Sequence, residues 1–477
     1  MDNSYLFYDI ETTGLNKAFD QVLEFAAIRT DQRLNELERH TISVNLRPDV
    51  VPSPRAILTN RIFVSDPARG MREYEAAEQI HQLMNQPGTI SLGYNTLGFD
   101  DEVLRFSFHR NLLPPYTHQF KNGCRRMDLF PMAVLYWLYK RDVITWPEID
   151  GKPSLKLENI GSANQMATGR AHEAMADVAT TVELARRFYQ KGKMWRYLGG
   201  YFDKETDAHR MGELPIAFQS GAGNHCQALA VSGEFGPGQN YQVPVISIGN
   251  SIPYSNQTLW LRMDLPQLRQ TNADTISETS WIIRKRMGEP AILLPPQDRY
   301  WKLIGKERST VFDENLSWLQ ENPDLFQEIV TYYREFRYPF IPDLDPDAAL
   351  YQIGFYSRAD EKCCRMFHKA SPDQKATIIS QFSSPVARTL ARRIIYRNYY
   401  EDNLFPYDED HRGYMKRINP LSQEDAIGDY RGDKRTTPSG ALAEIAQLKR
   451  AGDLDDHGQR LLDDLEGYIN ARFKIRA

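Results

Sequence analysis

The sequence is poor in cysteine and has no long hydrophobic run. Its 477 residues include only Cys124, Cys226, Cys363 and Cys364, none of them in a C-x-x-C pair, so a zinc site is not expected. The low cysteine count suits a reducing cytosol. No stretch of about 18 apolar residues is present, which predicts no membrane span. The opening "MDNSYL" lacks the basic and apolar regions of a signal peptide, so we expect a cytoplasmic protein.

An excess of charge of either sign is also missing. The chain carries 58 Lys and Arg against 63 Asp and Glu, a net charge of -5. This balance excludes a uniformly basic nucleic-acid coat protein. It does not exclude a nucleic-acid enzyme, because positive charge can be confined to one groove. The 41% hydrophobic and 25% charged residues are typical of a globular protein, and the length predicts two or three domains.

The first 195 residues alternate between strand and helix patterns, which indicates an α/β fold with a mixed sheet. Short apolar runs such as "CQALAVSG", "YQVPVISIG" and "TLWLRMDL" follow and predict a β-rich second part. Beyond "FIPDLDPDAA", which is typical of a linker, helical patterns dominate. We therefore predict domains at 1–195, 196–348 and 349–477. The predicted strands of the first domain are 5–10, 22–29, 41–46 and 89–94, and its predicted helices are 71–85, 100–111, 126–139 and 173–190.

Paired carboxylates end the first predicted strand, in "SYLFYDIETTGL". Asp9 and Glu11 point to the same face because side chains alternate along a strand, and their charges repel each other. A solvated strand end would also explain them. A second strand, in "ISLGYNTLGFDDEVLRF", leads into a helix that opens with Asp100 and Asp101. Either aspartate can cap that helix, but the pair leaves one carboxylate able to face elsewhere.

His172 and Asp177 form a further pair, in "GRAHEAMADVATTVELARRF". Their spacing separates them by about 140° on a regular helix, so they would not share a face there. They converge only if His172 lies on the loop before the helix. The alternative is an exposed histidine at a helix start together with a surface aspartate.

In combination, these acidic residues and the histidine resemble the DEDDh family of 3′-to-5′ exonucleases. The family pattern is D-x-E on a first strand, an Asp after a second apolar strand, and H-x-x-x-x-D. The segments "WPEIDGKPSLKLENIGSAN", "ALYQIGFYSRADE" and "LARRIIYRNYYEDNLFP" narrow the resemblance to exodeoxyribonuclease I. The resemblance is strong over the first 195 residues, faint in the middle and recognisable again after Leu350. It implies a ribonuclease H-like exonuclease domain, an SH3-like β-rich domain and an all-helical C-terminal domain.

The resemblance also implies how the motif residues act. Two Mg²⁺ ions, with Mn²⁺ as a substitute, would neutralise the paired carboxylates, activate water and stabilise the leaving 3′ oxygen. Asp9 would bridge both ions. Glu11 and Asp177 would complete the first metal site, and Asp100 would support the second. His172 would be the general base, since a histidine is mostly neutral above about pH 7.

Substrate contacts are predicted around the same site. The resemblance places the turn after the first strand against the terminal nucleotide, with Leu15 beneath a base. Two aromatic residues that flank a Pro-Pro loop would stack on bases or simply pack the loop. A lysine in "SLKLEN" occupies the position of a phosphate-contacting arginine. The full set of predicted contacts is Glu11, Thr12, Gly14, Leu15, Arg105, Tyr116, Phe120 and Lys156. In the C-terminal part, Arg392, Arg393 and Arg397 would line a basic groove or form a solvated helix face.

These inferences predict a 3′-to-5′ exonuclease that degrades single-stranded DNA to 5′-mononucleotides in repair and recombination; that it acts processively is only what the additional domains of the resembled family imply. The preference for single-stranded DNA is implied by the resemblance alone. An exoribonuclease with the same site is the nearest alternative, and a non-catalytic nucleic-acid-binding adaptor is another. The resemblance further implies single-stranded DNA-binding protein as a partner, but "ENLSWLQENPDLF" offers Gln320 and no nearby arginine, so its docking pocket is not located. We expect a monomer with no membrane association.

Overall fold

The first part of the chain is built on a mixed sheet. The computed structural model describes residues 3–65, 70–166, 173–399, 409–420 and 422–473. The strands of the sheet are β1 (Ser4–Thr12), β2 (Val22–Thr30), β3 (Glu36–Ser43), β4 (Thr89–Gly93) and β5 (Arg125–Asp128). They lie in the order β3-β2-β1-β4-β5, antiparallel from β3 to β1 and parallel from β1 to β5. We call this part, with its helices, the mixed-sheet region.

Helices cover both faces of this sheet. The elements around it are α1 (Pro54–Asn60), α2 (Glu73–Met84), α3 (Asp100–Arg110), α4 (Leu129–Tyr139), the short hairpin of β6 (Glu148–Ile149) and β7 (Lys152–Pro153), α5 (Leu157–Ala163), α6 (Ala174–Tyr189) and α7 (Gly192–Gly199). Phe7 packs with α4 and α6 on one face, whereas Leu6 and Tyr8 pack with α2 and α3 on the other. Because side chains alternate along β1, Asp9 and Glu11 follow Phe7 onto the face that α6 covers.

Two predicted elements differ from the structure. The predicted helix 126–139 begins as β5, and Asp128 then caps α4 by accepting a hydrogen bond from the Phe130 backbone N–H at 2.9 Å. Four residues that include two arginines carry too little apolar pattern to indicate a strand. The predicted strand 41–46 is instead β3, which begins earlier, at Glu36. Its first residues are mostly polar and largely exposed, as is common at a sheet edge, so an apolar pattern could not reveal them.

The second part is an antiparallel sheet backed by helices, which we call the antiparallel-sheet region. It follows α8 (Lys204–Gly212), and its strands are β8 (Ile216–Ser220), β9 (Gly223–Val231), β10 (Gln242–Asn250), β11 (Thr258–Arg262), β12 (Ile282–Lys285) and β13 (Ile292–Leu294). These strands lie in the order β12-β11-β10-β9-β13, and β8 also pairs with β9. Its other helices are α9 (Ile276–Thr279), α10 (Asp298–Trp301), α11 (Lys306–Glu321) and α12 (Pro323–Glu335). One face packs against α11 and α12 through Ile246, Phe312 and Ile329. The prediction of a β-rich second part is confirmed.

The third part, the C-terminal helical region, packs back onto the mixed-sheet region. Its helices are α13 (Arg358–Lys369), α14 (Pro372–Ile379), α15 (Pro385–Asn398), α16 (Glu409–Ile418), α17 (Pro438–Ala451) and α18 (Asp456–Phe473). A 3₁₀ helix at Pro346–Tyr351 lies against α3, α15 lies against α2, and α17 and α18 lie against α1. Within the described ranges, none of the helices combines the length and the apolar character that a bilayer crossing requires.

The predicted domain boundaries fall inside helical turns. The boundary at 195/196 lies within α7, and that at 348/349 lies within the 3₁₀ helix Pro346–Tyr351. The first two regions also share one apolar core, in which Phe7 and Trp195 belong to the same cluster as Leu229 and Ile292. The parts are therefore joined by continuous packing rather than by an extended linker.

Arg393 and Arg397 are buried and form ion pairs with distant segments. They therefore neither line a basic groove nor form a solvated helix face, and both predictions are wrong for them. Arg393 donates from Nη1 to Asp345 Oδ1 at 2.5 Å and lies 3.0 Å from Asp347 Oδ1. Arg397 donates to Asp347 and, from Nε, to Asp49 Oδ2 at 3.2 Å. These partners lie far away in sequence, which is why a local pattern suggested an exposed arginine face. Arg392, by contrast, is exposed.

Candidate active site

Four acidic side chains approach one another at one edge of the mixed sheet. Asp9 and Glu11 lie near the carboxyl end of β1, and Asp100 opens α3 just after β4. Since β1 and β4 are parallel, their carboxyl ends share this edge. Asp177 lies in the first turn of α6, the helix that packs on β1. The topology thus brings together residues that are up to 168 positions apart in the chain.

The charges of these carboxylates act on one another. Burial, followed by repulsion from Asp100, Glu11 and Asp177, raises the pKa of Asp9 well above its usual range. Burial and the nearby Asp177 raise the pKa of Glu11 to about 8. Burial likewise raises the pKa of Asp100 to about 7. Such shifts mark a site where negative charge is concentrated and poorly solvated, as is common at functional sites.

Glu24 is a fifth carboxylate at this site, and sequence reasoning missed it. It lies directly opposite Glu11 in the β1–β2 register, so the two side chains share a face. Its charge contributes to the raised pKa values of both Asp9 and Glu11. An acidic residue within the apolar stretch "VLEFAAI" was the available signal, but its meaning depends on a strand register that the sequence did not specify.

The structure distinguishes the two aspartates that open α3. Asp101 is fully buried and accepts hydrogen bonds from Arg105 Nη2 at 2.5 Å, Arg126 Nη1 at 2.6 Å and His118 Nε2 at 2.8 Å. Burial alone would raise its pKa, but these partners hold that pKa well below its usual range. Asp101 is therefore committed to an internal network, and Asp100 is the carboxylate whose charge reaches Asp9.

The turn after β1 is tightly bonded and presents one apolar side chain. Thr13 Oγ1 donates to Asp20 Oδ1 at 2.7 Å, and the Asn16 backbone N–H donates to Asp20 Oδ2 at 2.8 Å. A Cβ on Gly14 would lie 2.4 Å from Asp20 Oδ2, so only glycine fits there without displacing the carboxylate. Leu15 is 83% exposed at the tip of the turn, although a leucine would ordinarily be buried.

The remaining residues predicted to contact substrate differ in exposure: some are buried and others lie at the surface. Arg105 is buried, and its guanidinium lies 5.9 Å from the centre of the Tyr116 ring. Tyr116 in turn contacts Phe355, which is 91% exposed and was not predicted. Phe120 is exposed. Thr12 is buried and donates to the Gly14 carbonyl at 2.8 Å, and the exposed Lys156 lies 3.7 Å from Glu158. Their roles toward substrate stay predictions.

The predicted general base, His172, lies outside the described residues. In the described part of the chain, no three acidic, histidine or cysteine side chains lie close enough, as they stand, to share one metal ion. The chemistry of the donor set nevertheless fits divalent cations, because carboxylate oxygens are the ligands that hard cations prefer. The raised pKa values point the same way, since a bound cation would favour the ionised carboxylates that burial and repulsion now disfavour.

Comparisons with known proteins show the family and the fold of the chain. A sequence profile of the RNase_T family, described as an exonuclease, matches residues 6–185. Exodeoxyribonuclease I of Escherichia coli K12 is 30% identical over 394 residues, which span 78% of this chain and 80% of that protein. The structure of E. coli exonuclease I in complex with a 5cy-dT13 oligonucleotide has a TM-score of 0.84 at 25% identity, covering 99% of this chain and 100% of that one. A structure of SSB/exonuclease I in complex with the inhibitor CFAM has a TM-score of 0.82 at 25% identity, with the same coverage.

The matched profile includes every motif position from Asp9 to Asp177, and the structural likeness extends over all three parts of the fold. The resemblance that the motifs indicated is therefore confirmed, as are the exonuclease fold and the two additional regions. The divalent-metal dependence of such exonucleases is consistent with the all-oxygen donor set. The chain is an exonuclease and belongs to the exodeoxyribonuclease I family.

Proposed function

We propose that this chain removes nucleoside 5′-monophosphates from the 3′ end of single-stranded DNA, with two Mg²⁺ ions bound by its acidic site. The observation that carries the proposal is the group of carboxylates at this edge of the sheet: the pKa values of Asp9, Glu11 and Asp100 are raised together, and the charge of Asp177 on α6 contributes to the shifts of Asp9 and Glu11. Carboxylates held in this way have no structural use in the metal-free state, because they repel one another. Binding of cations would explain why the carboxylates are held together, because positive charge offsets their mutual repulsion.

The family resemblance assigns each carboxylate a role, and the position of Asp9 supports its assignment. Asp9 is central, since the charges of the other three all raise its pKa, and we assign it to both cations. By the same resemblance, Glu11 and Asp177 would hold the first cation and Asp100 would support the second. When bound, the cations would lower the pKa of the attacking water and stabilise the leaving 3′ oxygen.

Two further residues act on the substrate. His172 accepts the proton of the attacking water, an assignment that rests on the motif alone. Leu15, exposed at the tip of a turn that Asp20 holds in place, provides an apolar surface for the terminal base. Mn²⁺ is the expected substitute for Mg²⁺, because both prefer oxygen ligands.

The wider assignments also belong to this proposal. The substrate is single-stranded DNA, with which E. coli ExoI forms a complex in one solved structure, and the partner is the SSB protein named together with exonuclease I in another. We place the chain in the cytoplasm as a monomer that acts in DNA repair and recombination. The domain boundaries 195/196 and 348/349 stay predictions.

The test is a cleavage assay with 5′-labelled single-stranded DNA, its RNA counterpart and duplex DNA, each with Mg²⁺ or with EDTA. We expect a ladder of 3′-shortened products from single-stranded DNA that requires Mg²⁺. Asp9→Asn should lower the rate by about 1,000-fold or more, because the substitution removes a shared anionic ligand. Asp142→Asn is the matched control, since this exposed aspartate pairs with Lys191 at the surface and should leave the rate unchanged.

Other outcomes would favour the alternatives. Shortening of RNA but not of DNA would favour an exoribonuclease. Binding of single-stranded DNA without cleavage, by wild type and Asp9→Asn alike, would favour a non-catalytic adaptor. Normal cleavage by Asp9→Asn would contradict the metal-site assignment itself.

A further inference from the structure

Three consecutive acidic residues open α3 and point in three directions. Asp100, Asp101 and Glu102 are about 100° apart around the helix axis, so no two of them share a face. Asp100 belongs to the acidic site, whereas the other two carboxylates are bonded to groups from elsewhere in the fold. The position of Asp100 therefore depends on a helix end whose neighbouring residues are held by other elements.

Asp101 connects α3 to the antiparallel-sheet region. Its Oδ2 accepts a hydrogen bond from Arg126 Nη1 at 2.6 Å, and the other end of the same guanidinium donates from Nη2 to Glu289 Oε1 at 2.5 Å. Glu289 lies between β12 and β13. Its backbone carbonyl accepts a hydrogen bond from Lys285, which also pairs with Asp207 at 2.5 Å. The chain of contacts is thus continuous and largely buried from α3 into the second region.

Glu102 connects α3 to the C-terminal helical region. Its Oε1 accepts hydrogen bonds from Tyr430 Oη at 2.7 Å and Tyr351 Oη at 3.0 Å, and its Oε2 lies 3.4 Å from Arg431 Nη2. Both tyrosine rings also contact Phe106, one turn further along α3. A hydrophobic contact and a charged contact therefore hold the same end of the helix against the third region.

Glu102 also connects α3 to the turn after β1. Lys17 pairs with Glu102 Oε2 and donates to the Gly98 carbonyl at 2.6 Å. Lys17 follows Leu15 in the turn that Asp20 holds. One carboxylate thus connects the helix end, the substrate-facing turn and the C-terminal helical region.

We propose that Asp101 and Glu102 are positioning residues, through which the antiparallel-sheet region and the C-terminal helical region fix the start of α3 and with it Asp100. The inference rests on the proposed function, which makes Asp100 a metal ligand. Loosening either connection then changes metal binding and turnover even on a substrate too short to reach the second and third regions. A displacement of about 1 Å is enough to lower turnover substantially.

The experiment breaks each connection at its far end, which leaves the three acidic residues themselves intact. Glu289→Gln weakens the connection through Arg126, and the double change Tyr351→Phe with Tyr430→Phe removes both hydroxyl donors to Glu102. Each variant is assayed on the p-nitrophenyl ester of thymidine 5′-monophosphate and on a long oligo(dT). The measurements are kcat, KM, the Mg²⁺ concentration that gives half-maximal rate, and Tm.

We expect kcat to fall by about 5- to 10-fold on both substrates and the half-maximal Mg²⁺ concentration to rise by about threefold or more. The KM for oligo(dT) should change less than about twofold. A rise in that KM alone would show that the two regions only hold DNA, and it would overturn the proposal, as would unchanged kinetics in both variants.

Two further variants distinguish a failure of the positioning inference from a failure of the proposed function. Arg125→Gln removes an ion pair to Asp203 at 3.0 Å from the residue next to Arg126, without touching α3, and should leave kcat and metal dependence unchanged. Asp100→Asn should be inactive if the metal assignment is right. If Asp100→Asn keeps its activity, the proposed function fails. If it is inactive while both connection variants behave as wild type, only the positioning inference fails. If Glu289→Gln lowers Tm, the tyrosine variant decides the question.

Discussion

Metal binding should release protons, and the structure sets how many. With a pKa of about 8, Glu11 is roughly 90% protonated at pH 7 in the metal-free protein, and Asp100, with a pKa of about 7, is about half protonated. Divalent cations bind the ionised carboxylates, so both protons must leave when the site fills. We expect about one and a half protons from these two groups at pH 7 and almost none at pH 9, with Asp9 adding to the release.

The sign of the pH dependence follows from the same shifts. The pKa values of Glu11 and Asp100 are raised, so protons compete with the cations most strongly at low pH. The apparent metal affinity should therefore increase as pH rises from 6 to 9.

Isothermal titration calorimetry measures this release directly. Titrating Mg²⁺ or Mn²⁺ in two buffers of different ionisation enthalpy, such as HEPES and Tris at one pH, yields the number of protons transferred. Glu11→Gln should lower the proton release at pH 7, because it removes the proton of Glu11 and also the charge that raises the pKa of Asp9, whereas Asp142→Asn, at an exposed surface pair, should change nothing. A release below about half a proton at pH 7 would show that the carboxylates are already ionised, and the argument from burial and mutual repulsion would be refuted.

Three further predictions test other parts of the account. His172→Ala should lower the cleavage rate by about 100- to 10,000-fold while calorimetry still detects metal binding, as expected for a lost general base; a normal rate would exclude that role. Gly14→Ala should lower kcat/KM for oligo(dT) by about tenfold or more, because its Cβ would lie 2.4 Å from the carboxylate that holds the turn; steady-state kinetics at wild-type values would contradict this. Arg397→Leu should cost about 3–5 kcal/mol in the free energy of unfolding, measured by urea denaturation, because it leaves Asp49 and Asp347 buried without it; a cost below about 1 kcal/mol would argue against the cross-link.

Local patterns were sufficient to predict the elements that carry the motifs. The apolar run before Asp9 predicted β1, and strand alternation placed Asp9 and Glu11 on one face, as the structure has them. The start of α3 at Asp100 and the helix that carries Asp177 were predicted to within about one residue. These features depend on neighbours in the chain, so the sequence expresses them directly.

The features that were missed depend on contacts between distant segments. Glu24 reaches the site only through the register of β1 with β2. The burial of Arg397 depends on Asp49, which lies 348 residues away. Asp101 differs from Asp100 partly because it accepts a hydrogen bond from Arg126, which lies on β5, further along the chain. No pattern within one segment contains this information.

The most direct test of the central claim is anomalous diffraction from crystals soaked with Mn²⁺ and a short oligonucleotide. Asp9, Glu11, Asp100 and Asp177 are proposed to bind a pair of cations, so we predict two anomalous peaks about 3.5–4 Å apart, with Asp9 in contact with both. Mn²⁺ peaks elsewhere on the protein, with none within bonding distance of Asp9, would contradict the account.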